Sequence, residues 1–202
     1  MSFQRMKEKI HKFWNHLSPT MNNMVLDKGS EVYDLEEQQE ILSLLPDFSQ
    51  KKVLELAAGI GRFTGHLAHS AQEVNAIDFA PHFLKQNQET HKTSTNITYT
   101  CRDARNLDYP KETFDFIFIN WLFLYFEDKE LIPYIAQLQQ WLKPGGYLHY
   151  EREDYTAIYR FHYEYDVVLK NFFSVKKWGI LLTYLRYRKL PNQFYWLCQK
   201  KG

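Results

Sequence analysis

Short apolar runs alternate with amphipathic segments through the middle of the chain. The runs have the length and composition of buried strands, and they cover residues 52–57, 73–78, 97–101, 114–119 and 147–151. Segments with helical periodicity separate them, at residues 62–69, 81–90 and 128–142. Because strands alternate with helices, the pattern predicts an α/β fold with a Rossmann-like, doubly wound and mostly parallel sheet.

The first 46 residues are predicted to be mainly helical. Residues 2–17 have helical periodicity, with the apolar side formed by Phe3, Met6, Ile10, Phe13, Trp14 and Leu17. Basic residues occupy mainly the other side, so this helix either binds an anionic membrane or packs on its own domain. We favour packing, in which the helix would serve as a lid. A loop over residues 18–30 and a helix over residues 35–45, with Asp34 as its N-cap, follow.

The last 50 or so residues are less regular. We predict a helix over residues 163–173 and two strands over residues 178–187 and 193–199, which would form a hairpin. The segment Lys143-Pro144-Gly145-Gly146 ends the preceding helix, since proline and glycine cannot continue it.

Two glycines follow the first predicted strand and open the next helix. Missing side chains at Gly59 and Gly61 let a ligand approach the backbone and the helix N-terminus, as in nucleotide-binding units. After the second strand comes Asp78, placed where a carboxylate accepts hydrogen bonds from both hydroxyls of a ribose. The alternative, an ordinary strand-to-helix turn, is less favoured because Asp78 follows at the expected place.

The glycine spacing indicates which nucleotide is bound. A dinucleotide fingerprint would have its third glycine at position 64, which is Thr64 here. The spacing is instead Gly59-x-Gly61-x-x-x-Gly65, with Glu55 at the strand end. This combination resembles the first motif of class I methyltransferases, which bind S-adenosylmethionine.

The ends of the later strands carry further candidate residues. Asp103 is placed to accept the adenine amino group, or else to cap its own loop. Phe79 would stack against adenine, or else belong to the core. The predicted cofactor-binding residues are Glu55, Ala57, Gly59, Gly61, Arg62, Asp78, Phe79, Asp103, Ala104, Asn120 and Trp121.

Four stretches are similar to phosphoethanolamine N-methyltransferases of plants and nematodes. They cover residues 43–46, 53–65, 120–125 and 141–147, within a similarity that spans roughly residues 13–160. The resemblance implies a seven-stranded sheet with an antiparallel last strand. It also implies methyl transfer from S-adenosylmethionine to the nitrogen of phosphoethanolamine or a methylated derivative.

The resemblance also implies which residues act on the acceptor. Tyr125 occupies the active-site position after the fourth strand, and Tyr159 and Arg160 match a pair that would hold a phosphate. Two departures are visible: Ala57 replaces the first glycine of the motif, and the segment after the fifth strand is shortened. Another small acceptor, such as a different amine or a carboxylate, and a catalytically silent adenosyl-binding module are the alternatives.

Length and composition bear on the number of domains, the partners and the cellular compartment. A chain of 202 residues predicts a single domain, with a helical cap over residues 1–46 and a core over residues 47–202. Lys and Arg number 25 against 24 Asp and Glu, so nothing indicates nucleic acid as a partner. The two cysteines are far apart in sequence, which suits a reducing compartment, so we predict a cytoplasmic protein. We predict no metal site, because no His or Cys spacing is typical of one, and no stable membrane insertion, because no apolar run is long enough to span a membrane. The oligomeric state is left open.

Overall fold

The computed structural model describes residues 3–25, 29–153 and 161–201. Its strands are β1 (Lys52–Leu56), β2 (Glu73–Asp78), β3 (Ile97–Cys101), β4 (Phe114–Asn120), β5 (Leu142–Glu153), β6 (Phe173–Ile180) and β7 (Gln193–Lys200). They form one sheet in the order β3-β2-β1-β4-β5-β7-β6. The first five strands are parallel, and β7 runs antiparallel to both of its neighbours. The predicted Rossmann-like sheet with an antiparallel last strand is confirmed.

Helices cover both faces of this sheet. The described residues form α1 (Phe3–His16), α2 (Met21–Val25), α3 (Asp34–Leu44), α4 (Thr64–Ser70), α5 (Pro81–Thr90), α6 (Asp128–Trp141), α7 (His162–Phe172) and α8 (Leu182–Arg188). One-turn 3₁₀ helices lie at Ser30–Val32, Ala104–Asn106 and Phe123–Tyr125. Among these residues, no helix combines the length and the apolar character needed to cross a bilayer.

The central strands are buried on both faces, as a doubly wound sheet requires. On one face Leu54 and Ile117 pack with Trp141 of α6. On the other, Val53 packs in a cluster with Ile41 of α3 and Leu67 of α4. Burial on both faces explains why these strands are continuous apolar runs rather than alternating ones, and it fixes the strand tips at one edge of the sheet.

The predicted strand over residues 178–187 is wrong. The strand β6 ends at Ile180, and α8 follows in place of a hairpin turn. The carboxylate of Glu40 in α3 accepts hydrogen bonds from the backbone N–H groups of Leu182 and Thr183, at 2.6 and 2.8 Å. Because this cap for α8 comes from a residue about 140 positions away in sequence, no local pattern could reveal it.

Three other boundaries also differ from the prediction. Asp34 is the first residue of α3 rather than its N-cap, which is Tyr33, and the carboxylate of Asp34 accepts from Arg62 and Gln38. The predicted loop over residues 18–30 contains α2. The strand β5 begins at Leu142, which pairs with Phe114 across a shift in register, so the predicted helix stop lies inside β5.

Candidate functional site

A large pocket lies beyond the carboxyl ends of β1, β2 and β4. It encloses about 1070 Å³, counted with its solvent-open mouth. The sheet contributes the strand tips and the loops that follow them, and α1 and α2 contribute the facing wall. The predicted residues that line it are Glu55, Ala57, Gly59, Arg62, Asp78, Phe79, Asp103, Ala104, Asn120, Trp121 and Tyr125. Sheets of this kind bind ligands at this edge.

The loop after β1 has three residues in the left-handed conformation. Ala57 has φ +59°, Gly59 +54° and Gly61 +94°. A Cβ at Gly59 would lie 2.9 Å from the terminal methyl of Met24 in α2. The backbone of Gly59 therefore lines the pocket, and the Met24 side chain lies close above it. The left-handed conformation costs Ala57 about 1–2 kcal/mol, because of its Cβ. A glycine, which the resembling family has at this position, would adopt it without that cost.

Gly61 does not line the pocket. A Cβ on Gly61 would lie 2.4 Å from Oδ1 of Asn87 on α5 and 2.8 Å from Nε2 of His91, the residue directly after α5. The imidazole of His91 also lies 2.9 Å from the Gly61 carbonyl oxygen, within hydrogen-bond distance. The glycine is therefore needed for the loop to pack against α5, rather than for ligand approach.

Glu55 is tied into a buried hydrogen-bonded chain. The side-chain amide of Asn87 donates to the Thr64 hydroxyl at 2.8 Å, and that hydroxyl donates to Oε2 of Glu55 at 2.6 Å. Burial raises the pKa of Glu55 to about 8. The side chain is thus neutral at pH 7, and it links the tip of β1 to α4 and α5.

Asp78 is buried at the tip of β2, with 8% of its surface exposed. One carboxylate oxygen accepts from the N–H of Gly59 and the other from the N–H of Ala80, both at 2.9 Å. Burial raises the pKa of Asp78, and the N–H groups of Ala80, Gly59 and Phe79 oppose part of the rise. The carboxylate also lines the pocket.

Asp103 lies at the other end of the pocket, where three basic side chains contact it. Nε2 of His11 is 3.0 Å and Nζ of Lys7 is 3.2 Å from Oδ2, and the Arg105 guanidinium is 3.3 Å from Oδ1. Burial acts to raise the pKa of Asp103, but the Arg105 N–H and the charges of Arg105 and Lys7 bring it below the ordinary value. The carboxylate is therefore ionised and fully engaged.

Aromatic rings form much of the wall opposite the sheet. The imidazole of His11 stacks on Phe79, with centroids 4.3 Å apart and planes at 10°. Trp14 meets both Phe83 and Tyr125 edge-on at 6.2 Å. These rings surround the site, and α1 supplies two of them, those of His11 and Trp14.

The guanidinium of Arg62 pairs with carboxylates of α3. Its guanidinium donates to Asp34 at 2.6 Å and makes a very short contact with the buried carboxylate of Glu37. It also lies over the ring of Phe63, with Cζ 5.0 Å from the centroid. Although Arg62 lines the pocket, its charge is used to fasten α3 to the loop.

The tip of β4 carries Asn120 and Trp121. Among the described residues, the Asn120 side-chain oxygen is buried and has no hydrogen-bond partner, which leaves it available to a ligand. Trp121 has φ +50°, and its indole N–H donates to Gln193 at 3.2 Å. Tyr159 and Arg160 lie outside the described residues.

Sequence reasoning missed His11, Lys7, Met24 and Asn87. No contact within the domain is predicted from the sequence for Lys7 or His11, yet both reach Asp103. Sequence alone carried no sign of this contact, because Asp103 is 92 positions from His11. Among the described residues, no group of three or more His, Cys, Asp or Glu is placed to hold a metal ion.

Comparison with known proteins gives this site a context. Residues 53–146 match the methyltransferase domain family. The chain carries a methyltransferase domain. It is 34% identical to phosphoethanolamine N-methyltransferase 1 of Triticum aestivum in an alignment of 226 positions, gaps included. This alignment covers 98% of this chain and 45% of that protein. It is 35% identical over 145 residues to phosphoethanolamine N-methyltransferase 1 of Caenorhabditis elegans, covering 71% of this chain and 30% of that protein.

A solved structure is similar over the whole of this methyltransferase domain. Haemonchus contortus phosphoethanolamine N-methyltransferase 1, in complex with phosphoethanolamine and S-adenosylhomocysteine, matches with a TM-score of 0.91 and 28% identity. The match covers 100% of this chain and 50% of that one. The chain thus spans about half the length of the relatives it matches. The resemblance predicted from the motifs is confirmed.

Proposed function

We propose that this methyltransferase domain binds S-adenosylmethionine and transfers its methyl group to the nitrogen of a small amine. The observation that carries the proposal is Asp78, a buried carboxylate that lines the pocket and is held by the N–H of Gly59. A side-chain-free loop beside a fixed carboxylate is what an adenosyl ligand needs. The same pocket is lined by a second carboxylate, that of Asp103.

The described residues offer a contact to each part of the ligand. Asp78 would accept from the ribose hydroxyls, since its carboxylate lines the pocket and a carboxylate is a strong acceptor. Phe79, Asp103 and Ala104 would surround the adenine. The backbone of Ala57 and Gly59, with the unpartnered oxygen of Asn120, would face the methionine part.

Phosphoethanolamine or a methylated derivative is the proposed acceptor. The support is the similarity to phosphoethanolamine N-methyltransferases and the 0.91 TM-score to a relative in complex with phosphoethanolamine. Tyr159 and Arg160 would hold the phosphate, because a guanidinium pairs with phosphate oxygens in a bidentate manner.

The protein's contribution to the chemistry is alignment and proton removal. S-adenosylmethionine supplies a methyl group activated by its sulfonium. An ammonium has no lone pair, so the amine must lose a proton before it attacks, and the Tyr125 hydroxyl would orient the amine or relay that proton. The rings of Trp14, Trp121 and Tyr125 would attract a cationic nitrogen, each by about 0.5–2 kcal/mol.

A small amine without a phosphate is the second candidate acceptor. Two of the arginines that line the described pocket are already paired with carboxylates, Arg62 with Asp34 and Glu37, and Arg105 with Asp103 and Glu130. Binding a phosphate to either arginine would require breaking such a pair. The aromatic wall, in contrast, suits the ammonium group of an acceptor with or without a phosphate.

Two measurements test the proposal. Calorimetry with S-adenosylhomocysteine tests the adenosyl site, and we expect one site per chain. Methyl transfer from labelled S-adenosylmethionine is then compared for phosphoethanolamine and ethanolamine. Turnover of phosphoethanolamine supports the first acceptor, and turnover of ethanolamine alone supports the second. Binding without turnover of either amine would overturn the transferase proposal.

The predicted phosphate contact has its own test. Arg160→Ala should raise the KM for phosphoethanolamine far more than the KM for S-adenosylmethionine, with Arg188→Ala on α8 as the control. Equal changes in both KM values would refute the role of Arg160 in holding the phosphate.

A further inference from the structure

One side chain makes both of the contacts proposed for adenine. The imidazole of His11 lies parallel to Phe79 at a centroid distance of 4.3 Å. Its Nε2 lies 3.0 Å from Oδ2 of Asp103, so an N–H there donates to the carboxylate. Phe79 would supply the stacking face for adenine, and Asp103 would accept from the adenine amino group.

A second ring has no room between His11 and Phe79. Stacked rings need about 3.5–4 Å on each side, so an inserted adenine would require a separation of about 7 Å. The carboxylate of Asp103 is equally crowded, because Lys7 and Arg105 contact it together with His11. An imidazole is also the smaller ring of a purine, with the same planar face and an N–H donor at its edge.

We propose that His11 occupies the adenine end of the pocket and competes with the adenine ring of the cofactor. This inference rests on the proposed function. The helix α1 then acts as an internal competitor: the adenosyl ligand binds only after His11 has left Phe79 and Asp103. The apparent affinity for the ligand is lowered by the fraction of molecules in which His11 holds this place.

The remaining contacts of α1 hold His11 in this position. Ile10 and Trp14, on either side of His11 in sequence, pack against Ala80 and Phe83 at the start of α5. Among the described residues, the backbone–backbone hydrogen bonds of α1 and of the turn after it are local, and none joins them to the sheet. Displacement of His11 therefore breaks side-chain contacts and leaves the sheet and its loops unchanged.

Calorimetry with S-adenosylhomocysteine tests the competition directly. His11→Ala should bind this probe about fivefold to tenfold more tightly than the wild type, because the competing ring is gone. The control is His16→Ala on the last turn of the same helix, where the imidazole is exposed and its Nδ1 lies 2.6 Å from the carbonyl oxygen of Lys12. It should bind with wild-type affinity.

Binding kinetics give a second measurement. In stopped-flow mixing, the observed rate for the wild type should level off at high probe concentration, where release of His11 becomes limiting, and it should keep rising for His11→Ala. Equal or weaker binding by His11→Ala would overturn the inference, since His11 would then support the bound adenine. If the wild type binds the probe but the two proteins do not differ, only this inference fails. If neither binds, the proposed function fails with it.

Discussion

The two walls of the pocket are built in different ways. On the sheet side, backbone groups fix the loop after β1: the N–H of Ala58 donates to Ile77, and that of Gly59 to Asp78, both at 2.9 Å. On the helical side, α1 is held by apolar side chains around Trp14 and by the contacts of Lys7 and His11 with Asp103. The sheet wall is thus formed by the fold itself, whereas the helical wall depends on contacts that a ligand can replace.

This contrast assigns different consequences to mutations on the two sides. A change at the tip of β1 or β2 disturbs buried groups that have no alternative partners, so stability should fall. A change on α1 removes half-exposed contacts, so binding should respond more than stability. The predictions below test this difference, beginning with the largest expected effect.

Gly61→Ala should lower the free energy of unfolding by about 2–4 kcal/mol. The new side chain is strained in the left-handed conformation, and it also clashes with α5. The new Cβ would lie 2.4 Å from Oδ1 of Asn87. Gly29→Ala is a matched control, since Gly29 has nearly the same φ, +93°, and its added Cβ meets nothing within 4 Å. We expect about 1–2 kcal/mol for the control, from strain alone.

Chemical denaturation of both variants separates the two contributions. A larger loss for Gly61→Ala than for Gly29→Ala measures how tightly the loop packs on α5. Equal losses would show that the sheet wall has room to adjust, which would remove the contrast between the two walls.

Glu55 should make stability depend on pH. Its pKa is about 8 in the folded protein against an ordinary value of 4.5, so the folded state binds a proton that the unfolded state releases between these values. The stabilisation is therefore complete below pH 4.5 and is lost as the pH rises through 8. Each pH unit in this window should lower stability by about 1 kcal/mol.

Glu55→Gln should remove this part of the pH dependence, since an amide oxygen still accepts from Thr64 and cannot ionise. The measurement is the unfolding free energy at pH 6 and pH 9, with Glu89→Gln on the exposed side of α5 as the control. If Glu55→Gln kept the wild-type slope, the carboxyl group would not be buried in its neutral form.

Lys7→Ala should have the smallest effect on stability. The Lys7 side chain is 29% exposed, and an ion pair in such a position stabilises by about 0–1 kcal/mol. Lys9→Ala, on the same helix, is the control. A loss above about 2 kcal/mol for Lys7→Ala alone would mean that α1 is fixed as firmly as the sheet wall.

The same division explains what the sequence could predict. The strands β1 to β4 and the turn at Gly59 follow from local patterns, because continuous apolar runs and glycines report burial and backbone conformation directly. The contact of His11 with Asp103 and the cap that Glu40 provides for α8 join residues far apart in sequence. Such pairs leave no periodic signal, because nothing in the sequence around one partner points to the other.

Gly61 shows a further limit of local reasoning. The spacing Gly59-x-Gly61 correctly predicts a tight turn, but the pattern assigned both glycines to ligand approach. Only the position of Asn87 and His91 shows that Gly61 serves packing against α5. A motif can therefore identify a site without telling which of its members faces the ligand.

The most direct test of the account is the affinity of Asp78→Ala for S-adenosylhomocysteine, measured by calorimetry. The variant should bind at least about tenfold more weakly than the wild type, a loss of about 1.4 kcal/mol, because the ribose would lose its acceptor. Asp47→Ala is the control, since Asp47 also accepts from the N–H two residues on but does not line the pocket. Unchanged affinity in folded Asp78→Ala would contradict the adenosyl site on which the proposed function rests.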